Sequence, residues 1–223
     1  VLNKHEIAGW EWNSEKLPDV KDFDWVVHLG AISSTEETDV DRVILQNYEF
    51  SKWLYNECNH TGVNLQYASS ASVYGNTDHF TENGKLQPQS PYAWSKYLFD
   101  RWVHQQRHNI IVQGFRYFNV YGPGQDLIDD KQGMVSIYLS SLIKNNKIIV
   151  KGSLNRFRDL IYVDDVVDIW IEAINNKKFN NRIINLGTGK KIKVYQIIDV
   201  LKSLHNKKTK IEILRGTPGD QYG

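Results

Sequence analysis

The sequence holds one cysteine and one methionine among its 223 residues. A lone Cys58 excludes an internal disulfide and a cysteine-built zinc site, so a reducing, cytoplasmic setting is expected and a metal centre is not. Charge of one sign is not in excess either. Lys+Arg 27 against Asp+Glu 26 leaves +1, which excludes a strongly basic nucleic-acid binder and an acidic disordered chain. No apolar run approaches the ~20 residues of a membrane helix, and no signal-peptide pattern opens the chain. Neither nucleic acid nor membrane is therefore an expected partner. What is present, 41% hydrophobic and 24% charged residues, fits one large globular domain or one and a half smaller ones. The chain starts at Val1 and stops at Gly223 in a turn-like phrase, and it is expected to be a fragment.

Short apolar runs alternate with longer amphipathic ones, the pattern of strand–helix repeats on a parallel sheet. The first half predicts strands at Trp25 to Gly30, Asn64 to Ala68 and Ile110 to Phe115. Helices are predicted at Asp41 to Cys58 and Tyr92 to Gln106, with a long Thr-, Asn-, Gly- and Pro-containing loop before Pro91. The second half is less regular. Helices are predicted at Gly133 to Lys144 and up to Ile174, the latter capped by Asp164 or Asp165, and at Val194 to Leu204. Strands are expected at Ile148 to Val150, Leu160 to Val163, Arg182 to Leu186 and Lys210 to Leu214, and the Asn- and Lys-rich tract at Asn175 to Asn181 reads as a solvated turn.

The chemistry centres on Tyr92-Ala93-Trp94-Ser95-Lys96, a Tyr-x-x-x-Lys at the start of a predicted helix. Four residues on a helix put both side chains on one face, one turn apart. An ammonium beside a phenol favours phenolate and lowers a pKa of about 10, giving a general base near neutral pH. Alone, such a pair is usually an exposed tyrosine above a surface lysine. Here Ser69-Ser70-Ala71-Ser72-Val73-Tyr74-Gly75 ends the preceding strand and Phe115 to Pro123 ends the next. Ligands collect at such strand ends in open α/β sheets.

With these segments the sequence resembles the extended short-chain dehydrogenase/reductase family, in its branch of NAD-dependent nucleotide-sugar epimerases and dehydratases. The resemblance is carried by His28-Leu29-Gly30-Ala31, Ser69 to Gly75, Ser90-Pro91-Tyr92 with Lys96, and Phe115 to Pro123. Arg156 to Asp165, Asn185 to Gly189 and Pro218-Gly219-Asp220 add to it. It implies a Rossmann-like, doubly wound parallel sheet at 1–122 that holds NAD, and a smaller C-terminal substrate-binding domain, mainly 123–223, with 159–175 returning to the first. It also implies Tyr92 as catalytic base, Lys96 as its partner and cofactor ribose ligand, and Ser70 as catalytic hydroxyl. Gly30, Ala31, Asn47, Ser69 and Tyr117 are implied beside the cofactor. Asn119, Met134, Arg158 and Asp220 are implied on the nucleotide sugar, and Arg158 suits a diphosphate because a guanidinium grips phosphate oxygens in a fork. A homodimer through a four-helix bundle and a place in cell-envelope carbohydrate metabolism are further implications.

One departure is large. The family opens with a Gly-x-x-Gly-x-x-Gly loop whose backbone N–H groups hold the cofactor pyrophosphate. No such loop stands in this sequence, and Gly187-Thr188-Gly189 reads as a turn. The expectation is a chain that begins inside a Rossmann domain, with the residue choosing NAD over NADP left open. Apolar surface near Val26, Leu29 and Leu65 is then expected to be exposed, and the fragment by itself inactive.

The branches differ just after the catalytic hydroxyl. Dehydratases carry an Asp-Glu pair there, because eliminating water takes a carboxylic acid and a base. This chain has Ala71 and Ser72, which favours an epimerase. UDP-hexose 4-epimerisation is the broad expectation, supported by Arg158 and Pro218-Gly219-Asp220. ADP-heptose 6-epimerisation is the alternative, with Lys131 before Gln132-Gly133-Met134 as a second acid/base. A non-catalytic nucleotide-sugar-binding protein is a third reading, opposed by the intact Ser70, Tyr92 and Lys96.

Overall fold

The computed structural model describes residues 19–34, 37–125, 133–205 and 207–216. Four parallel strands form the main sheet in the order β1-β2-β3-β8. These are β1 (Trp25–His28), β2 (Asn64–Ser70), β3 (Val112–Tyr117) and β8 (Arg182–Leu186). Parallel neighbours need crossovers, and helices supply them. Between β1 and β2 runs a helical stretch made of α1 (Val40–Val43), a π-helical turn (Ile44–Glu49) and α2 (Phe50–Thr61). The helix α3 (Pro91–His104) joins β2 to β3. The smaller strands are β4 (Asn119–Tyr121), β5 (Lys147–Lys151), β6 (Phe157–Arg158), β7 (Leu160–Tyr162), β9 (Ile192–Lys193) and β10 (Lys210–Leu214). The remaining helices are α4 (Met134–Asn145), α5 (Val163–Asn175) and α6 (Val194–Leu204).

Both faces of the sheet are covered, as parallel sheets require. On one face Tyr55 and Cys58 of α2 and Phe99 and Val103 of α3 close over Leu65, Tyr67 and Val112. On the other, Trp170 and Ala173 of α5 pack on Phe115 and Leu186. A separate core joins α4, β5 and α6 through Tyr138, Leu142, Ile148, Val150 and Ile198. The later half of the chain thus adds β8 to the sheet and α5 to its second face.

Several expected boundaries move for identifiable reasons. The third strand begins at Val112 because the Ile111 N–H bonds the Asn64 side chain rather than the ladder, whose pairing starts at Leu65–Val112. Asp164 and Asp165 do not cap α5. They lie in its first turn, after Tyr162 at the cap position, where their charge suits the helix dipole. Leu65 is fully buried, since β2 is an interior strand covered by α2 and α3, whereas Leu29 is 58% exposed. Leu54 of α2 is core, and Trp53 and Trp102 pack against that core. The Asn-rich turn is not merely solvated: Asn181 Oδ1 accepts the Val112 N–H at 3.0 Å and Asn180 Oδ1 accepts Gln113 Nε2 at 3.0 Å.

Candidate active site

The carboxyl ends of the four strands meet at one edge of the sheet. Ser70 pairs with Tyr117, and Tyr117 with Leu186, in register. Beyond this edge lies a cavity of about 1150 Å³, lined among others by Ser70, Tyr92, Tyr117, Asn119 and Arg158. A ligand crevice outside the carboxyl ends of parallel strands is the expected place for a site in such a fold.

Local sequence places Tyr92 at the crevice. Ser90 caps α3, its Oγ accepting the Ala93 N–H at 3.2 Å, and Pro91 occupies the first helical position. Tyr92 therefore stands in the first turn, and Lys96 one turn further in. Tyr92 and Ser70 both line the cavity. Lys96 is buried, its Nζ 5.9 Å from the Tyr92 ring centroid and donating to the Ala68 carbonyl at 2.8 Å. Burial pushes Lys96 down to about 8, against the opposing pull of the Asp100 carboxylate. The expected depression of the phenol is not found. Burial raises the Tyr92 pKa, with the nearby Ser70 hydroxyl working against it. The ammonium is engaged at Ala68, and loss of water around the phenol outweighs its help.

Asn47 holds the loop after β1. It sits in the π-helical turn, a feature frequent at functional sites. Its Oδ1 accepts the Ile32 N–H at 2.8 Å, and its Nδ2 donates to the Ile32 carbonyl and to Ser95 Oγ, both at 3.0 Å. Ser95 Oγ in turn donates to the Tyr92 carbonyl at 2.7 Å. Asn47 thus ties the loop carrying Gly30 and Ala31 to the first turn of α3. Behind it, His28 Nε2 meets Ser51 Oγ at 2.7 Å, and Ser51 Oγ donates to the Asn47 carbonyl. Burial, then the Lys96 charge, pushes His28 down to about 3, so it is neutral.

The other expected site residues divide. Asn119 lines the cavity and its Nδ2 donates to the Asp159 carbonyl at 2.9 Å. Arg158 lines it too, with Nη1 donating to the Phe157 carbonyl at 2.8 Å. Tyr117 stacks on Trp170 at 6.0 Å, and its buried hydroxyl meets no partner at hydrogen-bond geometry, so burial holds it protonated. Ser69 is not at the cavity. Strand alternation turns it to the opposite face from Ser70, where its hydroxyl donates to Asp100 at 2.9 Å. Met134 packs against the α4–α6 core rather than lining the cavity. Lys131 and Asp220 lie outside the described residues.

Sequence reasoning missed several cavity residues. Glu37, Thr77, Phe80 and Lys151 reach it from loops and a strand end that carry no local signature. Lys190 and Lys191 reach it because Asp159 grips the turn before them. The loop at 75–90 is folded inward by Gly75. Its φ is +68°, and a Cβ there would overlap the Gln87 carbonyl.

Residues 6–187 match the NAD dependent epimerase/dehydratase family, and the chain belongs to it. An ADP-L-glycero-D-manno-heptose-6-epimerase of Brachyspira hyodysenteriae is 39% identical over 201 residues, 85% of this chain and 61% of that protein. The chain therefore spans about three fifths of the length of the curated relative it matches. An NAD-dependent NDP-hexosamine 5,6-dehydratase of tunicamycin biosynthesis superposes with a TM-score of 0.82 and 26% identity, over 92% of this chain and 68% of that one. The UDP-glucose 4-epimerase of Thermotoga maritima superposes with a TM-score of 0.78 and 25% identity, over 89% and 67%.

The family implies NAD, and the residues present fit it. Gly30 and Ala31 are exposed at the end of β1, and the side-chain position of Gly30 opens on space with nothing within 4 Å. A flat group can therefore approach the backbone there. Lys96 and Tyr92 stand one helical turn apart beside the same sheet edge.

Proposed function

We propose that the protein is an NAD-dependent epimerase of a nucleotide-diphosphate sugar, working through a transient keto intermediate on the sugar. The observation that carries this reading is that Ser70 and Tyr92 line the same cavity, with Lys96 buried behind them. Tyr92 takes the proton from a sugar hydroxyl, and Ser70 hydrogen-bonds both that oxygen and the phenol. The Lys96 ammonium stabilises the phenolate as it forms, offsetting the burial that otherwise keeps the phenol protonated. NAD, when bound, supplies the acceptor and donor of the carbon-bound hydride. Gly30, Ala31, Lys96 and Tyr117 would hold it. Arg158 and Asn119 bind the diphosphate end, and the keto sugar turns within the cavity so that its other face receives the hydride.

Epimerisation is favoured over dehydration because Ala71 and Ser72, which follow Ser70, offer no carboxylate to expel water. A UDP-glucose 4-epimerase-like reaction is the broad reading. The 39% identity to an ADP-heptose 6-epimerase favours a second, inversion at the 6 carbon of an ADP-heptose. The full-length protein with NAD, offered UDP-glucose and ADP-heptose in separate reactions, distinguishes them by NMR of the product sugar. Conversion of one of the two is expected; binding without conversion of either would support the non-catalytic reading instead.

The finer setting belongs to the same proposal. Among the described residues no helix is long and apolar enough to cross a membrane. A homodimer is supported by Trp94 on α3 and Leu45 on the π-helical turn, large apolar side chains each 46% exposed. Light scattering of the full-length protein at micromolar concentration is expected to give twice the monomer mass.

A further inference from the structure

The buried pair Asp100–Arg116 has no part in the reaction as described. Asp100 lies one helical turn after Lys96 on α3 and is 1% exposed. Its Oδ2 accepts Arg116 Nε and Ser69 Oγ, each at 2.9 Å, and its Oδ1 accepts the Tyr67 hydroxyl at 3.1 Å. Arg116 continues outward, Nη1 donating to the Tyr74 hydroxyl at 3.0 Å and the Glu82 carbonyl at 3.1 Å. Tyr74 then donates to Asn185 Oδ1 at 2.6 Å.

A buried ion pair is weak evidence for stability, because desolvation offsets its attraction and apolar replacements often do as well. The placement of this one is more specific. Its donors come from the segments that carry the proposed chemistry. Ser69 adjoins Ser70, Arg116 adjoins Tyr117, and the carboxylate itself rides on the helix of Tyr92 and Lys96. Lys96 faces His28 from β1 and Tyr92 and Asp100 from α3, and Asp100 in turn meets Tyr67 from β2 and Arg116 from β3. Of these Asp100 is the anion.

We propose that Asp100 is a positioning residue: by gripping Ser69 and Arg116 it locks the end of β2 to α3, holding Ser70, Tyr92 and the Lys96 ammonium in register. This rests on the reading of Ser70, Tyr92 and Lys96 as the proton-handling trio. The carboxylate also favours the charged form of Lys96, which burial disfavours. Without it the ammonium would be lost at lower pH, and the alkaline limb of kcat would move down.

The test compares kcat and KM against pH for full-length wild type, Asp100→Asn and Asp100→Glu with NAD and the nucleotide sugar that wild type converts. Asp100→Asn is expected to shift the alkaline limb down by about one pH unit, a loss of about tenfold in kcat on that limb. KM should stay within about twofold, since a positioning loss falls on the chemical step. Asp100→Glu, which restores the charge, should recover part of the shift. An Asp100→Asn enzyme with lower Tm but an unmoved limb and wild-type kcat would overturn the proposal. If Asp100→Asn does not fold, Ser69→Ala removes a single hydroxyl from the same lock. A kcat loss of about threefold at unchanged KM supports the proposal, and wild-type kcat overturns it. Tyr92→Phe, run alongside, tests the trio separately: it is inactive if that reading holds, whatever the Asp100 variants do.

Discussion

The carboxylate of Asp159 closes on Thr188 from two sides, Oδ1 accepting its backbone N–H at 2.9 Å and its hydroxyl at 2.6 Å. The other oxygen accepts the Gly189 N–H at 2.7 Å, and a Cβ at Gly187 would stand 2.7 Å from it. One side chain thus fixes the turn that brings Lys190 and Lys191 to the cavity beside Arg158. Asp159→Ala frees that turn. KM for the nucleotide sugar is expected to rise about tenfold, the equivalent of about 1.4 kcal/mol, with kcat within about threefold. Steady-state kinetics check this.

Tyr92→Phe removes one oxygen and nothing else from the cavity wall. Loss of a proton shuttle is expected to lower kcat by roughly 10²–10⁴ while NAD binding, measured by calorimetry, is unchanged. A variant within about threefold of wild type would remove Tyr92 from the mechanism.

His28 makes stability depend on pH. Its folded pKa, about 3, lies below the ordinary histidine value of 6.5, so between these values the unfolded chain binds a proton that the native protein does not. Stability is full above about pH 6.5 and declines as pH falls towards 3. At pH 5 the loss amounts to about 2 kcal/mol. Urea unfolding at pH 7 and pH 5 should show a fall of this order, and His28→Gln, which keeps a polar partner for Ser51, should shrink it.

Cys58 is fully buried, and burial pushes its thiol up to about 12. The reactive form is the thiolate. A thiol reagent at pH 8 is therefore expected to leave the native protein unlabelled and to label one cysteine per chain in guanidinium, as read by mass spectrometry.

What the sequence made legible follows a physical rule. Tyr92 and Lys96 stand out because their helical spacing is joined by strand-end segments on either side, and the roles of Ser70 and Tyr117 follow from the family resemblance that those segments carry. Arg182–Leu186, Val194–Leu204 and Lys210–Leu214 are found within their expected bounds because apolar periodicity and flanking polar turns agree there. Asp100 and Asp159 were not legible. A buried carboxylate on an amphipathic helix has the same letter as a solvated one, and only long-range partners such as Arg116 and Thr188 separate them. Gln66 and Gln113 show the same limit. Both are fully buried, bonded to each other at 2.8 Å and to carbonyls of α5, yet in sequence they look like breaks in apolar strands. The fall in Tyr92 acidity was hidden for a related reason. Spacing reports that an ammonium is near but not how much water both groups lose.

The central claim, inversion of a sugar carbon by removal and return of a hydride with Tyr92 handling only the hydroxyl proton, is tested most directly in ²H₂O. The full-length protein with NAD is allowed to equilibrate its nucleotide sugar, and the product epimer is read by NMR. A hydrogen carried as hydride does not exchange with water, so the inverted carbon is predicted to keep protium, while the Tyr92→Phe variant forms the epimer roughly 10²–10⁴-fold more slowly. Deuterium at that carbon in the wild-type product would contradict the account, because it would mean that the carbon itself had been deprotonated.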